Sequence, residues 1–177
     1  ETLWNAATPA QDIIEAYEHK WKSSEVIEAG GFNDPAPDYD EVEAFWIEAG
    51  YVTRNRGADR PGNQIDMPRG MSRYFGFNAP DDLPINSVIG NVTFEPPSGD
   101  LVSNNLRLGN NKMEKISLPI PEKHGFDMYD GKVLIFSPGS GRFRMWALEA
   151  VDFEAAFGHR LGAVRLMGSG RRYGYIK

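Results

Sequence analysis

The sequence predicts an α+β fold in which N-terminal helices pack on a mainly antiparallel, curled sheet or small β-barrel. Three features point there. Helical spacing of apolar residues is confined to the first fifty positions, short β-prone runs broken by glycine and proline follow one another from Tyr74 onward, and the charge changes sign between these two parts.

Thr8-Pro9 reads as an N-cap followed by proline at the first helical position, where its missing N–H costs nothing. Ile13, Ile14, Tyr17 and Trp21 then recur at helical spacing, and Ser23-Ser24 ends that helix or caps a short further turn through Ile27. Gly30-Gly31 stops whatever is there, and the two prolines of Phe32–Asp40 discourage helix, so this segment is a loop. Its aspartates do not make a calcium loop, because the fifth position counted from Asp38 is Val42 and the required glycine and closing glutamate are missing. Asp38 or Asp40 instead caps a second helix over Glu41–Ala49, with Val42, Phe45, Trp46 and Ala49 as its buried stripe and Gly50 as its end.

Tyr51–Thr53 is a short strand candidate. The stretch 54–73 has little periodicity and carries Arg54, Arg56, Arg60, Arg69 and Arg73 among glycines and prolines, the composition of a functional loop. Guanidinium groups present a fixed fork of donors, so Arg56, Arg60 and Arg69 are candidate anion ligands; pairing with the acidic first fifty residues is the competing use.

Strands are predicted over Tyr74–Phe77, Ser87–Phe94, Leu101–Leu108 and Lys115–Ile120, then as a meander built on Asp130-Gly131 and Pro138-Gly139-Ser140-Gly141, and finally over Ala163–Met167 and Arg172–Ile176. Asp82–Ile85 holds one helical turn, and Asp152 caps a short helix over Phe153–Phe157 that Gly158 closes. The chain thus divides into an acidic helical part (1–50), an arginine- and glycine-rich loop (51–73) and a β-rich part (74–177), together one folding unit.

The chain has no cysteine, which excludes disulfides, thiolate metal sites and a cysteine nucleophile. No apolar run approaches the ~20 residues of a membrane helix and the first residues lack a basic-then-apolar leader pattern, so a soluble, cytoplasmic protein without a membrane partner is expected. A chain starting at glutamate leaves a preceding leader or domain open. The net charge of −6 divides unevenly: residues 1–50 hold twelve acids against two lysines, whereas residues 101–177 hold twelve Lys+Arg against seven acids. Overall acidity argues against indiscriminate nucleic-acid binding, but a cationic part beside an acidic one suits a directed anion site.

No catalytic constellation stands out. His19, His124 and His159 have no metal-ligand spacing, and no cofactor or metal is expected. His159, beside Arg160 after the short helix, is the one catalytic candidate, as a proton carrier near a bound anion; a helix-terminal histidine that merely meets carbonyls is the commoner case. Glu18-His19-Lys20 has a nuclease-like carboxylate-x-lysine order but lacks a preceding strand aspartate. Gly168-Ser169-Gly170 joins two strands, so it can form an anion nest or a plain hairpin loop.

The strongest binding pattern is alternation in the strand after Gly141. Arg142, Arg144 and Trp146 share one side and Phe143, Met145 and Ala147 the other, while Arg171, Tyr173 and Tyr175 repeat the arginine-plus-ring pattern. If the two strands are neighbours, they form one face of rings for stacking among guanidinium groups for phosphate. The expected function is a binding domain for an anionic polymer, nucleic acid first, or the recognition part of a nucleic-acid-processing enzyme. The alternatives are an interaction subunit of a larger protein assembly and a hydrolase with an unrecognised site.

Overall fold

The computed structural model of the chain describes residues 26–28 and 38–177. Ten strands form one sheet: β1 (Val26–Glu28), β2 (Ala44–Glu48), β3 (Gln64–Met67), β4 (Val88–Glu95), β5 (Val102–Leu108), β6 (Glu114–Ser117), β7 (Val133–Pro138), β8 (Phe143–Leu148), β9 (Val164–Leu166) and β10 (Arg172–Ile176). Their spatial order is β1-β9-β10-β2-β7-β8-β4-β5-β6-β3. Pairing is antiparallel except at β1/β9 and β4/β8, which are parallel.

The predicted α+β class is overturned. Among the described residues the one α-helix is α1 (Ala150–Phe157), which lies late in the chain, and the helix predicted over Glu41–Ala49 is instead β2 at the middle of the sheet. Phe45 and Ile47 enter one apolar cluster while Ala44 and Trp46 enter another on the opposite face. A run apolar on both faces is what a central strand needs; the helical spacing of Val42, Phe45, Trp46 and Ala49 coincides with it. The helical turn considered through Ile27 is likewise strand, with Val26–Glu28 aligned on Val164–Leu166. The helix predicted from Thr8 through Trp21 lies outside the described residues, as do His19 and Glu18-His19-Lys20.

Three further segments differ from expectation. The stretch read as loop from 54 to 73 contains β3, and Tyr74–Phe77 is a turn following a 3-10 segment (Met71–Arg73). Tyr74 is used for its hydroxyl, which donates to the Phe136 carbonyl at 2.6 Å and accepts the Phe45 N–H at 3.2 Å, tying this turn to β2 and β7. Phe126–Tyr129 is no strand either, so the meander reduces to the β7–β8 hairpin; buried Tyr129 donates its hydroxyl to the Pro119 carbonyl at 2.6 Å.

Every strand from β2 to β8, together with β10, sends side chains into one enclosed core that includes Phe45, Phe94, Leu106, Ile116, Phe136 and Tyr173. The sheet therefore curls round its own contents. On the outer side Trp46, Val133, Ile135 and Ile176 receive Phe153 of α1, whose ring lies 5.1 Å from that of Trp46. Gly174 stands opposite Trp46 across the β10/β2 pair, and a Cβ there would meet the Ala163 carbonyl at 2.9 Å and the indole nitrogen at 3.2 Å.

Arg171, the residue before β10, spans the remaining gap. Its Nε donates to the Glu48 carbonyl at the end of β2, and one terminal nitrogen donates to the Asp66 carbonyl of β3, each at 2.8 Å. The edge strand of one end of the sheet is thereby laced to the other side of the curl. Burial pushes the Arg171 guanidinium below its ordinary pKa, against the pull of the Asp66 and Glu48 carboxylates.

Candidate functional site

The β7–β8 hairpin turns at Gly139–Gly141, where Gly139 N–H bonds the Arg142 carbonyl at 2.7 Å and Gly141 adopts a positive φ of 70°. Past the turn the chain alternates as predicted: Phe143, Met145 and Ala147 belong to the enclosed core, which leaves Arg142, Arg144 and Trp146 on the outer face. The parallel pairing of β4 with β8 sets Glu95 level with Arg144. Glu95 Oε2 then lies 3.5 Å from Nε of both Arg142 and Arg144, so two guanidinium groups share a single carboxylate.

Arg144 also lies over the Trp146 ring, 5.5 Å from its centroid, a cation–π arrangement on a side chain that is 37% exposed. Trp146 lines two surface depressions. One, of about 160 Å³, is lined by Glu95, Pro97, Gly99 and Arg144; the other, of about 340 Å³, is lined by Pro97, Asp127, Met128, Lys132 and Leu148. The face thus combines net positive charge, an accessible ring and two recesses that the ring helps to line.

The other predicted ligands lie elsewhere. β10 is separated from β8 by β2 and β7, and Tyr173 and Tyr175 point into the enclosed core, opposite to Trp146. Tyr173 is buried, and Tyr175 packs on Phe45, Tyr74 and Tyr39. Arg171 is occupied by its two carbonyls. The six residues therefore do not form one face; only Arg142, Arg144 and Trp146 remain together.

The arginines of the 54–73 stretch are likewise dispersed. Arg54 pairs with Asp130 at 2.8 Å; burial opposes ionisation of that carboxyl, but Arg54 and the Val52 N–H hold it below its ordinary range. Arg56 grips Glu122 with both terminal nitrogens, at 3.0 and 2.6 Å, and pulls its pKa down to about 2. These partners lie in the second half of the chain, not in the acidic first fifty residues. Arg60 is exposed, and Arg69 lines a small cleft with Arg73, Asn78 and Asp81.

That cleft also touches Glu114, a carboxylate only 5% exposed. It accepts from Gly70 N–H at 3.0 Å, Ser72 N–H at 2.6 Å and Ser72 Oγ–H at 2.9 Å, which clamps the 3-10 turn to β6. Burial raises its pKa; the three donors and Arg73 act in the opposite direction without cancelling it. His159 is exposed in a 3-10 turn after α1, beside an Arg160 already engaged by Glu43 and by the Lys177 carbonyl.

Three participants escape sequence reasoning. Glu95 precedes Pro96-Pro97 at a strand end with no mark of its role, because only the parallel β4/β8 contact brings it to β8. Asp127 and Met128 sit in a segment that reads as strand but is an exposed turn walling the larger depression. Among the described residues no three His, Asp or Glu side chains group as a metal site, and no helix is long and apolar enough to cross a membrane. No known protein family matches the chain, and no curated protein matches it either.

Proposed function

We propose that this chain is a binding domain for an anionic polymer, namely nucleic acid, engaged through the outer face of β8. The observation that supports it is the sharing of Glu95 by Arg142 and Arg144 beside a partly exposed Trp146. One carboxylate cannot neutralise two guanidinium groups, so a cation is left for phosphate, and the ring adds a surface for a base.

The test is a salt titration of binding to short single- and double-stranded oligonucleotides. Joint Arg142→Ala and Arg144→Ala substitution should lower affinity and flatten the salt slope by about 0.7, the one phosphate contact that the unneutralised cation makes on a single strand. Their side chains are 42% and 63% exposed, so the ion pairs with Glu95 contribute little to stability and the variant should fold normally. Salt-insensitive or undetectable binding by the wild-type chain to every oligonucleotide would rule the proposal out. A second reading, an interaction subunit of a protein assembly, draws on Ile85 in the turn before β4 and Val88 at its first position, both more than half exposed.

A further inference from the structure

We infer that the larger depression beside Trp146 holds one unstacked base of a single-stranded nucleic acid, and that its preferred occupant is guanine. This rests on the β8 face being a nucleic-acid surface. Arg144 lies over the indole and lines the smaller recess but not the larger, which leaves the larger one a Trp146 wall without that guanidinium. At about 340 Å³ this depression is of the size that takes a small flat ligand. A duplex keeps the faces of its bases stacked on one another, whereas a single strand can splay one base onto an aromatic side chain.

The walls decide which base. Met128 and Leu148 supply apolar contact, and Trp146 the stacking surface. Asp127 and Lys132 are the charged groups of the lining, an acceptor-only carboxylate and a donor-only ammonium, the latter 3.1 Å from Glu149 at the helix entrance. Guanine presents two adjacent N–H donors and a neighbouring carbonyl on its Watson–Crick edge. The donors satisfy both Asp127 oxygens and the carbonyl accepts from Lys132. Thymine has one N–H between two carbonyls, and would leave the carboxylate half-satisfied with an oxygen turned toward it.

The experiment measures binding of the whole chain to a fluorescently labelled short oligo-dT, to the same strand with its central base changed to guanine, and to the corresponding duplex. The guanine strand should bind roughly tenfold more tightly than oligo-dT, as one bidentate base contact implies. Asp127→Asn should bring the guanine strand down to the affinity of oligo-dT. Trp146→Ala should weaken single-strand binding by roughly tenfold or more with the salt slope unchanged, and Trp146→Tyr, which keeps a ring, should retain most of it. Equal affinity for both strands, or a preference that survives Asp127→Asn, overturns the guanine assignment. Salt-sensitive binding that is as strong for duplex and indifferent to Trp146→Ala overturns the single-strand inference while leaving the β8 face as an anion surface. Absence of salt-sensitive binding to all three removes both.

Discussion

Replacing Arg171 by methionine isolates the seam that holds the curled sheet shut. Methionine keeps an apolar stem where Arg171 Cδ lies against Gly50, a contact close enough that a Cβ on that glycine would be 3.3 Å away. What is lost is the pair of 2.8 Å hydrogen bonds to the Glu48 and Asp66 carbonyls, both in part-buried surroundings. An acceptor stripped of its donor in such a place costs about 1–3 kcal/mol. Relief of the buried guanidinium, whose lowered pKa records its desolvation, offsets part of that. The net loss should be about 2–4 kcal/mol, a fall in melting temperature of roughly 4–16 °C for a chain of this length. Thermal unfolding followed by circular dichroism measures the total, and amide exchange locates it. Protection should drop first in β3, residues 64–67, and least in β7. Arg171→Lys should recover little, since an ammonium cannot reproduce the two-pronged geometry. A methionine variant that melts within about 1 °C of wild type, with β3 still protected, would refute the seam.

Three more outcomes are expected. Trp46→Ala, at a side chain fully buried between β2 and α1, should cost about 3–5 kcal/mol by chemical denaturation. Glu114→Gln tests the clamp: with its pKa raised in the folded state, Glu114 favours folding fully only below its unfolded pKa and loses that contribution as pH rises through the folded value, so the slope of stability against pH in that acidic window should flatten in the variant. An unchanged slope would mean that Glu114 titrates normally. Limited trypsinolysis should cut after Lys112, which is exposed in the turn between β5 and β6, before Arg54 or Arg56, whose side chains are held by Asp130 and Glu122; cleavage at the latter two ahead of Lys112 would contradict those pairs.

The β7–β8 hairpin and the face of Arg142, Arg144 and Trp146 are legible in the sequence because a glycine turn and strict alternation are local signals. α1 is legible for the same reason, although its N-cap is Glu149 rather than Asp152. β2 is not, since Val42, Phe45, Trp46 and Ala49 satisfy a helical period while neighbouring Ala44 and Ile47 make the run buried on both faces, and only the presence of partner strands decides between them. β3 hides because Gln64–Met67 is four residues in proline- and glycine-rich surroundings, with Ile65 and Met67 alone facing inward. Alternation assigns Tyr173 and Tyr175 to one side but carries no information on which side faces the core. That is why they share the arginine-plus-ring pattern of β8 yet lie on the opposite face. Glu95, brought to β8 by a two-residue parallel contact across about fifty positions, lies beyond any local pattern.

The placement of β2 has a consequence for how the chain is made. Phe45 is flanked by Phe136 on one side and Tyr175 on the other, so both neighbours of this central strand are synthesised long after it. At ~5–20 residues per second, the roughly 90 residues to β7 take about 5–20 s to emerge, and the roughly 40 more to β10 lengthen the wait. Throughout that interval Ala44-Phe45-Trp46-Ile47 has neither edge paired nor either face covered, which is the profile of an aggregation-prone segment. Glu41, Glu43 and Glu48 flank it with negative charge, the gatekeeping that such a delayed strand requires. Neutralising those three glutamates should reduce soluble yield from cells more than it lowers the melting temperature of the protein that does fold.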